Sequence, residues 1–359
     1  MMMDSLSQEK KNKTPEARQG NGAQIKNALF YGLAMSVAAI LLWFLLSESA
    51  KSIGSAILIL TAAMAVLDTL VFMLVKSKPQ KQKIPVIVIL AILNAVVFLS
   101  VSIYALAGTQ IFYPHFDESA YAALQTREDT EELTLETETG TVSGWMLHNA
   151  EPSAPLVIYF YGNGENAATR MLRLIDKGLI EKFAGCNLAI LDYPGYGKSD
   201  GVPSEKTLKA FGLAVYDALA QRSDVDEERI VIFGYSLGTG VADYVASKRE
   251  TAGLILMAPY ADGYDLYNGM VDIFHGPARL LVAFKMESVQ FAESVSVRPL
   301  ILASQKDEMV HYESSVRLSQ AFPEGCTFKT FEDLSHNDFW GSATVLQDIA
   351  DYIAEVKAG

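Results

Sequence analysis

Three long apolar runs dominate the first third of this 359-residue chain. They cover residues 27–47, 52–75 and 84–107, and each has the length of about 20 residues needed to cross a hydrocarbon core about 30 Å thick. In such a layer every backbone N–H and C=O must find its partner within the segment, so an open single segment crosses it as a helix. Three adjacent helices that are apolar on all sides have no polar face to offer water, which excludes packing as ordinary amphipathic elements of a soluble core. A cleaved signal peptide does not account for the first run either. Its polar lead of 26 residues is long for that role, and two further spans would hold the chain in the membrane.

Basic residues orient the spans. Lys10, Lys11, Lys13, Arg18 and Lys26 precede the first, and Lys76, Lys78, Lys81 and Lys83 lie between the second and third. Only Lys51 lies between the first and second, and nothing basic follows the third until Arg127. The expectation is a multi-pass protein of the cell membrane, with residues 1–26 a disordered cytoplasmic tail, 27–107 a three-helix membrane region and 108–359 an extracytoplasmic domain. Asp68 is costly inside the second span. A tie to Asn94, at similar depth on the third, explains it better than a transport role, because no other charge joins it.

Charge divides the chain at the same place. Residues 1–109 carry +5 and the other 250 carry −18, within a total of −13. An acidic domain of that size has no electrostatic footprint for nucleic acid. The two cysteines, Cys186 and Cys326, are too few for a disulfide scaffold or a cysteine-rich zinc module, and a bridge between them is not expected. Oligomeric state is left open by the sequence.

Beyond about residue 131 the periodicity changes. Residues 131–138 and 141–147 alternate across Thr139-Gly140 as a hairpin would. Continuous apolar runs suited to buried parallel strands follow at 156–161, 188–193, 230–234, 254–258 and 299–303, with Thr327–Phe331 last. Helix-period stretches at 165–183, 204–222, 237–249 and 345–357 separate them, which predicts an α/β domain with a mainly parallel sheet covered on both faces. Residues 264–297 break the rhythm and read as a small helical insertion, a lid in position.

Two Gly-x-Ser-x-Gly patterns occur, at 197–201 around Ser199 and at 234–238 around Ser236. A serine nucleophile on a strained turn needs a strand running straight into a helix. Ser236 has that context, whereas Ser199 lies in a Gly/Pro-bearing loop between Pro194 and Pro203 and reads as a structural loop serine. A serine hydroxyl also needs a base held by an acid, in the chain order Ser, Asp or Glu, His. His336, in Leu334-Ser335-His336-Asn337-Asp338, suits the base better than His311, which reads as a surface residue; His115, His148 and His275 precede the position of the acid, Asp307. Asp307, just past the strand at 299–303, suits the acid, with Glu308 and Asp333 as substitutes. An oxyanion needs preorganised N–H donors. Leu237, the residue after the serine, is one, and Asn163 in Tyr161-Gly162-Asn163-Gly164-Glu165-Asn166 is the other. That Gly-rich turn lacks the lysine and Ser/Thr of a nucleotide-binding P-loop.

These segments, with Asp192-Tyr193-Pro194-Gly195-Tyr196-Gly197-Lys198-Ser199, resemble the α/β-hydrolase superfamily. Within it they are similar to the Bem46-like group that includes membrane-associated ABHD-type serine hydrolases. Tyr161 stands where that group usually has histidine. The resemblance implies an α/β-hydrolase fold, Ser236 as nucleophile, Asp307 as acid, His336 as base, and the backbone N–H groups of Asn163 and Leu237 as oxyanion donors. It also implies hydrolysis of an ester-type acyl bond with no metal or organic cofactor, the acyl substrate being a small molecule or a lipid beside the membrane. Acyl transfer or peptide cleavage by the same three residues, and a non-catalytic tethered binding domain, are the alternatives.

Overall fold

The computed structural model describes residues 60–66, 68, 69, 71, 73 and 79–358, apart from 139, 152, 153, 184 and 271. The chain divides into two compact units, Met1–Leu106 and Ala107–Gly359.

In the first unit, the apolar run expected at 27–47 lies outside the described residues, and the run at 52–75 is described from residue 60 onward, where the described positions are helical. The run at 84–107 forms helix α1, Gln80–Gln110. Within it, Lys83–Tyr104 is long and apolar enough to cross a membrane. Pro85 falls in the second turn of α1, where it lacks the N–H that would otherwise donate to the carbonyl of Lys81, four residues earlier. The expected polar tie is present: Asn94 Nδ2 donates to Asp68 Oδ1 and Oδ2 at 2.7 and 2.6 Å. Leu60, Val97 and Val101 pack together in the same unit.

The second unit holds an eight-stranded sheet in the order β1-β2-β4-β3-β5-β6-β7-β8. Its strands are β1 Thr130–Thr137, β2 Gly140–Leu147, β3 Leu156–Phe160, β4 Asn187–Leu191, β5 Ile230–Tyr235, β6 Gly253–Met257, β7 Leu300–Ser304 and β8 Thr327–Phe331. β1 and β2 form an antiparallel hairpin, β2 joins β4 antiparallel, and every pair from β4 across to β8 is parallel. Strands β3 to β7 are buried at every position. Burial on both faces is what turns their sequences into unbroken apolar runs, whereas half-buried β1 alternates.

The connecting helices are α2 Glu118–Gln125, α3 Ala167–Asp176, α4 Glu205–Ala220, α5 Leu237–Ala246, α6 Gly263–Met270, α7 Ser288–Ala292, α8 Tyr312–Ser319 and α9 Ala343–Ala358. One expectation needs correction. The single helix read over 165–183 is two pieces, because α3 ends at Asp176 and a 3-10 turn, Leu179–Phe183, follows Gly178. Gly178 has φ 67°, a left-handed conformation that ends the helix. The stretch 264–297 holds most of α6, the 3-10 turn Gly276–Leu281 and α7.

Candidate active site

The site forms at the carboxyl ends of β3, β5 and β7, where loops of an open parallel sheet converge. Ser236 sits between β5 and α5 with φ 52° and ψ −119°. A non-glycine residue in that region carries about 1–3 kcal/mol of strain and persists only where its surroundings enforce it. The enforcement is visible in its neighbours. A Cβ on Gly238 would lie 2.0 Å from the Phe160 carbonyl oxygen, and one on Gly234 would lie 2.6 Å from Thr239 Cα. Only glycine at both positions lets α5 cross so close to β3 and β5. The Ser236 N–H donates to Met257 O at 3.0 Å, fixing the turn to the end of β6.

Ser236 Oγ lies 2.8 Å from His336 Nε2, and His336 Nδ1 lies 2.8 Å from Asp307 Oδ2 and 3.0 Å from Oδ1. With its proton on Nδ1, the imidazole donates to the carboxylate and accepts from the hydroxyl. Asp307 and His336 are both buried. Asp307 is three residues beyond β7, and its Oδ1 accepts the N–H groups of Met309 and Val310 at 2.9 and 2.8 Å, which hold the carboxylate still. His336 opens a 3-10 turn, His336–Gly341. Its ring stacks on Tyr235 at 5.4 Å, and the Tyr235 hydroxyl donates to His336 O at 2.7 Å. Burial pushes the Tyr235 phenol up, so it remains a donor.

The structure thus brings together Ser236, Asp307 and His336, three residues spread over a hundred positions. Glu308, one of the two substitutes for the acid, instead accepts the His336 backbone N–H at 3.2 Å. His311 is exposed and precedes α8.

Asn163 and Leu237 line the same recess as Ser236. A Cβ on Gly162 would be 3.6 Å from Ser236 Cβ, so this backbone passes beside the serine. Neither the Asn163 nor the Leu237 N–H has an acceptor among the described residues. Two free N–H groups beside a serine are what a developing oxyanion requires.

Two kinds of space open from Ser236. One is a cleft of about 530 Å³ whose walls include Glu165, Arg170, Arg173, Lys177, Glu308 and Trp340. The other is a recess of about 70 Å³ lined by Ile111, Tyr113, Leu237, Leu266, Met309 and Val310. Arg170 is buried beneath the cleft, with its guanidinium on Glu165 and 5.3 Å from the Trp340 ring centre.

Ser199 is elsewhere. Its Oγ donates to Asp192 O at 2.7 Å and accepts the Ser143 N–H at 3.0 Å, which ties the loop after β4 to β2. Tyr161, at the position of the usual histidine, is fully buried against Tyr193 and donates to Asp192 Oδ1 at 3.2 Å.

The sequence reading missed the segment before β1 as part of the site. Asn163 Nδ2 donates to Ile111 O at 2.7 Å, while Asn163 Oδ1 accepts from Tyr113 N at 3.0 Å and the Tyr196 hydroxyl at 2.7 Å. Proximity in sequence to the last apolar run hid Ile111 and Tyr113, since their residue types match either reading. Arg170 gave a faint signal as a cation on the otherwise apolar face of α3.

No protein-family model matches the chain. An uncharacterised protein of Mycobacterium tuberculosis strain H37Rv is 31% identical over 260 residues, 71% of this chain and 88% of that protein. Alpha/beta hydrolase domain-containing protein 17C of Xenopus tropicalis is 28% identical over 243 residues, 67% of this chain and 76% of the relative. Among solved structures, an alpha-beta hydrolase from Vibrio vulnificus superposes with a TM-score of 0.54 at 19% identity, over 72% of this chain and 92% of its own. The Pyrococcus furiosus esterase Pf2001 does so with a TM-score of 0.54 at 17% identity, over 68% and 98%. At such identities the structural likeness concerns the fold. Fold and relatives agree: the chain has the α/β-hydrolase fold and is a member of that superfamily. Within that superfamily it belongs with the ABHD-type proteins.

Proposed function

We propose that this protein is a membrane-anchored serine hydrolase that cleaves ester-type acyl bonds through an acyl-enzyme. The observation that carries the reading is the unbroken series from Ser236 Oγ through His336 to Asp307, both links at 2.8 Å. In this mechanism His336 Nε2 takes the Ser236 proton as Oγ attacks the carbonyl carbon, and Asp307 holds the imidazole and stabilises its positive charge. The N–H groups of Asn163 and Leu237 bind the oxyanion. His336 returns the proton to the leaving alcohol, the carbonyl re-forms, and a water activated in the same way releases the acid and restores Ser236.

Membrane anchoring rests on the apolar runs and on α1. The basic residues before the first run and between the second and third favour a cytoplasmic N-terminus, three membrane helices within 27–107 and a catalytic domain from 108 to 359 on the outer side. Only six residues separate Tyr104, the end of the apolar stretch, from Ile111 in the recess wall. So short a connection favours acyl lipids, lipid-linked molecules or acylated proteins over freely diffusing substrates. The apolar recess suits the acyl portion and the charged cleft suits a polar leaving group. The insertion at 264–297 contributes Leu266 to the recess, which supports its reading as a lid.

Hydrolysis of p-nitrophenyl esters of graded chain length by the full-length protein in lipid nanodiscs tests this function. Turnover that depends on chain length and vanishes in Ser236→Ala is expected. Turnover unchanged in that variant removes the proposal.

A further inference from the structure

Asn163 is flanked by Gly162 and by Gly164, which has φ 77°. A peptide between two glycines has little conformational preference of its own. An N–H that must point at an oxyanion cannot be left to such a segment, because catalytic groups need to be held within about 0.5 Å of the productive position. The Asn163 side chain supplies the restraint, and none of its bonds goes to Ser236, His336 or Asp307. Its Nδ2 donates to Ile111 O, and its Oδ1 accepts from the N–H groups of Tyr113 and Gly164 and from the Tyr196 hydroxyl. The Tyr196 oxygen also accepts the Tyr113 N–H at 3.0 Å, closing a ring of hydrogen bonds around residues 111, 113, 163 and 196.

The segment that Asn163 grips is itself fastened. Ile111 and Phe112 are buried, and the Phe112 ring meets Phe284 edge-on at 5.5 Å. One turn further, the Gly197 N–H donates to His115 O at 3.0 Å. Residues 111–113 have no regular secondary structure and follow directly on α1, which ends at Gln110.

We propose that residues 111–113 form a strap that positions the Asn163 N–H for oxyanion binding, with the Asn163 side chain and Tyr196 as its fastening. The connection to the apolar helix is then part of the catalytic apparatus as well as a tether. Asn163 and Tyr196 act here as positioning residues, since their side chains work through a backbone N–H. This proposal rests on the serine-hydrolase reading above.

The test compares wild type, Asn163→Ala and Tyr196→Phe as full-length protein in nanodiscs. The probes are p-nitrophenyl butyrate and a trifluoromethyl ketone, whose serine adduct carries the same oxyanion. A misdirected N–H forfeits transition-state stabilisation alone, so Asn163→Ala should lower kcat by about 10²-fold and leave KM within about twofold. Affinity for the ketone should fall in proportion to kcat/KM. Tyr196→Phe, which keeps the bonds to Ile111 and Tyr113, should show the same pattern at about fivefold. Thermal unfolding and end-point labelling of Ser236 by a fluorophosphonate separate this from global damage. Wild-type kcat in both variants, or a raised KM with unchanged kcat, overturns the strap and leaves the serine-hydrolase reading standing. If Asn163→Ala fails to fold, wild-type kinetics in Tyr196→Phe overturns it alone. A wild-type protein that neither takes the fluorophosphonate at Ser236 nor hydrolyses the ester removes both proposals.

Discussion

The segments 197–201, Gly-Lys-Ser-Asp-Gly, and 234–238, Gly-Tyr-Ser-Leu-Gly, share one pattern and fold in opposite ways. Around Ser236, a strand and a helix meet with no residue to spare, and the serine takes up the strain with φ 52°. Its hydroxyl has one partner among the described residues, the imidazole of His336. Around Ser199 the chain wanders through turns, and glycines absorb the unusual angles, with φ 49° at Gly197 and 92° at Gly201. The Ser199 hydroxyl is buried and engaged by two backbone groups. A pentapeptide pattern therefore says little by itself. The elements on either side decide whether its hydroxyl is offered to a base or spent on the fold.

Removing each serine in turn should separate the two roles most widely. Ser236→Ala is expected to abolish ester turnover by about 10⁴-fold or more with little change in melting temperature, measured as kcat on p-nitrophenyl butyrate alongside thermal unfolding. A residual rate near wild type would break the comparison at its root. A methyl group in each crossing sharpens it. Gly238→Ala places a Cβ 2.0 Å from Phe160 O, against backbone that cannot yield, so the variant should lose activity and several kcal/mol of stability, on the order of 3 kcal/mol or more. Wild-type activity in that variant would show that the elbow tolerates widening.

Two buried carboxylates extend the contrast. Asp192, below the Ser199 loop, accepts from Ala167 N, from the hydroxyls of Tyr121 and Tyr161, and from Lys198 N. Asp243, in the helix behind Ser236, has both oxygens buried without a partner among the described residues. Asp192→Asn turns an acceptor-only group into one that must also donate among those donors. It should cost about 1–3 kcal/mol by denaturant unfolding. Burial raises the Asp243 carboxyl well above its ordinary 3.8. The folded protein then holds that proton more tightly than the unfolded chain does. The stability linked to it is fully present below the ordinary value and is lost as pH climbs through the carboxylate range toward the folded one. Asp243→Asn removes this loss, so its melting temperature should gain on wild type more at pH 8 than at pH 4. An equal gain at both would show that Asp243 does not titrate in this way.

Ser199→Ala should have the smallest effect. Its loss leaves the Ser143 N–H without an acceptor, at about 1–3 kcal/mol, while ester turnover stays within about threefold. A loss of turnover comparable to that of Ser236→Ala would reverse the assignment of the two motifs.

Most of the framework was legible because burial writes itself into composition. Strands covered on both faces must be apolar throughout, and so β3, β5, β6 and β7 stood out within a residue or so of their ends. The elbow was legible for a related reason, since β5, Ser236 and α5 are contiguous and the small residues around them have no other use. His336 and Asp307 followed from chain order and from their places after β8 and β7. What stayed hidden was contact between distant segments whose residues are ordinary. Nothing about Ile111 or Tyr113 announces a hydrogen bond to Asn163, because a backbone carbonyl or N–H can do this from any residue type. The break in the predicted helix at 165–183 was marked only by Gly178, which a helix interior tolerates at about 1 kcal/mol.

The central claim is most directly tested by treating membranes that contain the full-length wild type, Ser236→Ala and Ser199→Ala with a fluorophosphonate and locating the adduct by peptide mass spectrometry. The account predicts one modified serine, Ser236, in the wild type and in Ser199→Ala, and none in Ser236→Ala. An adduct that persists in Ser236→Ala, or a wild type that remains unmodified, contradicts it.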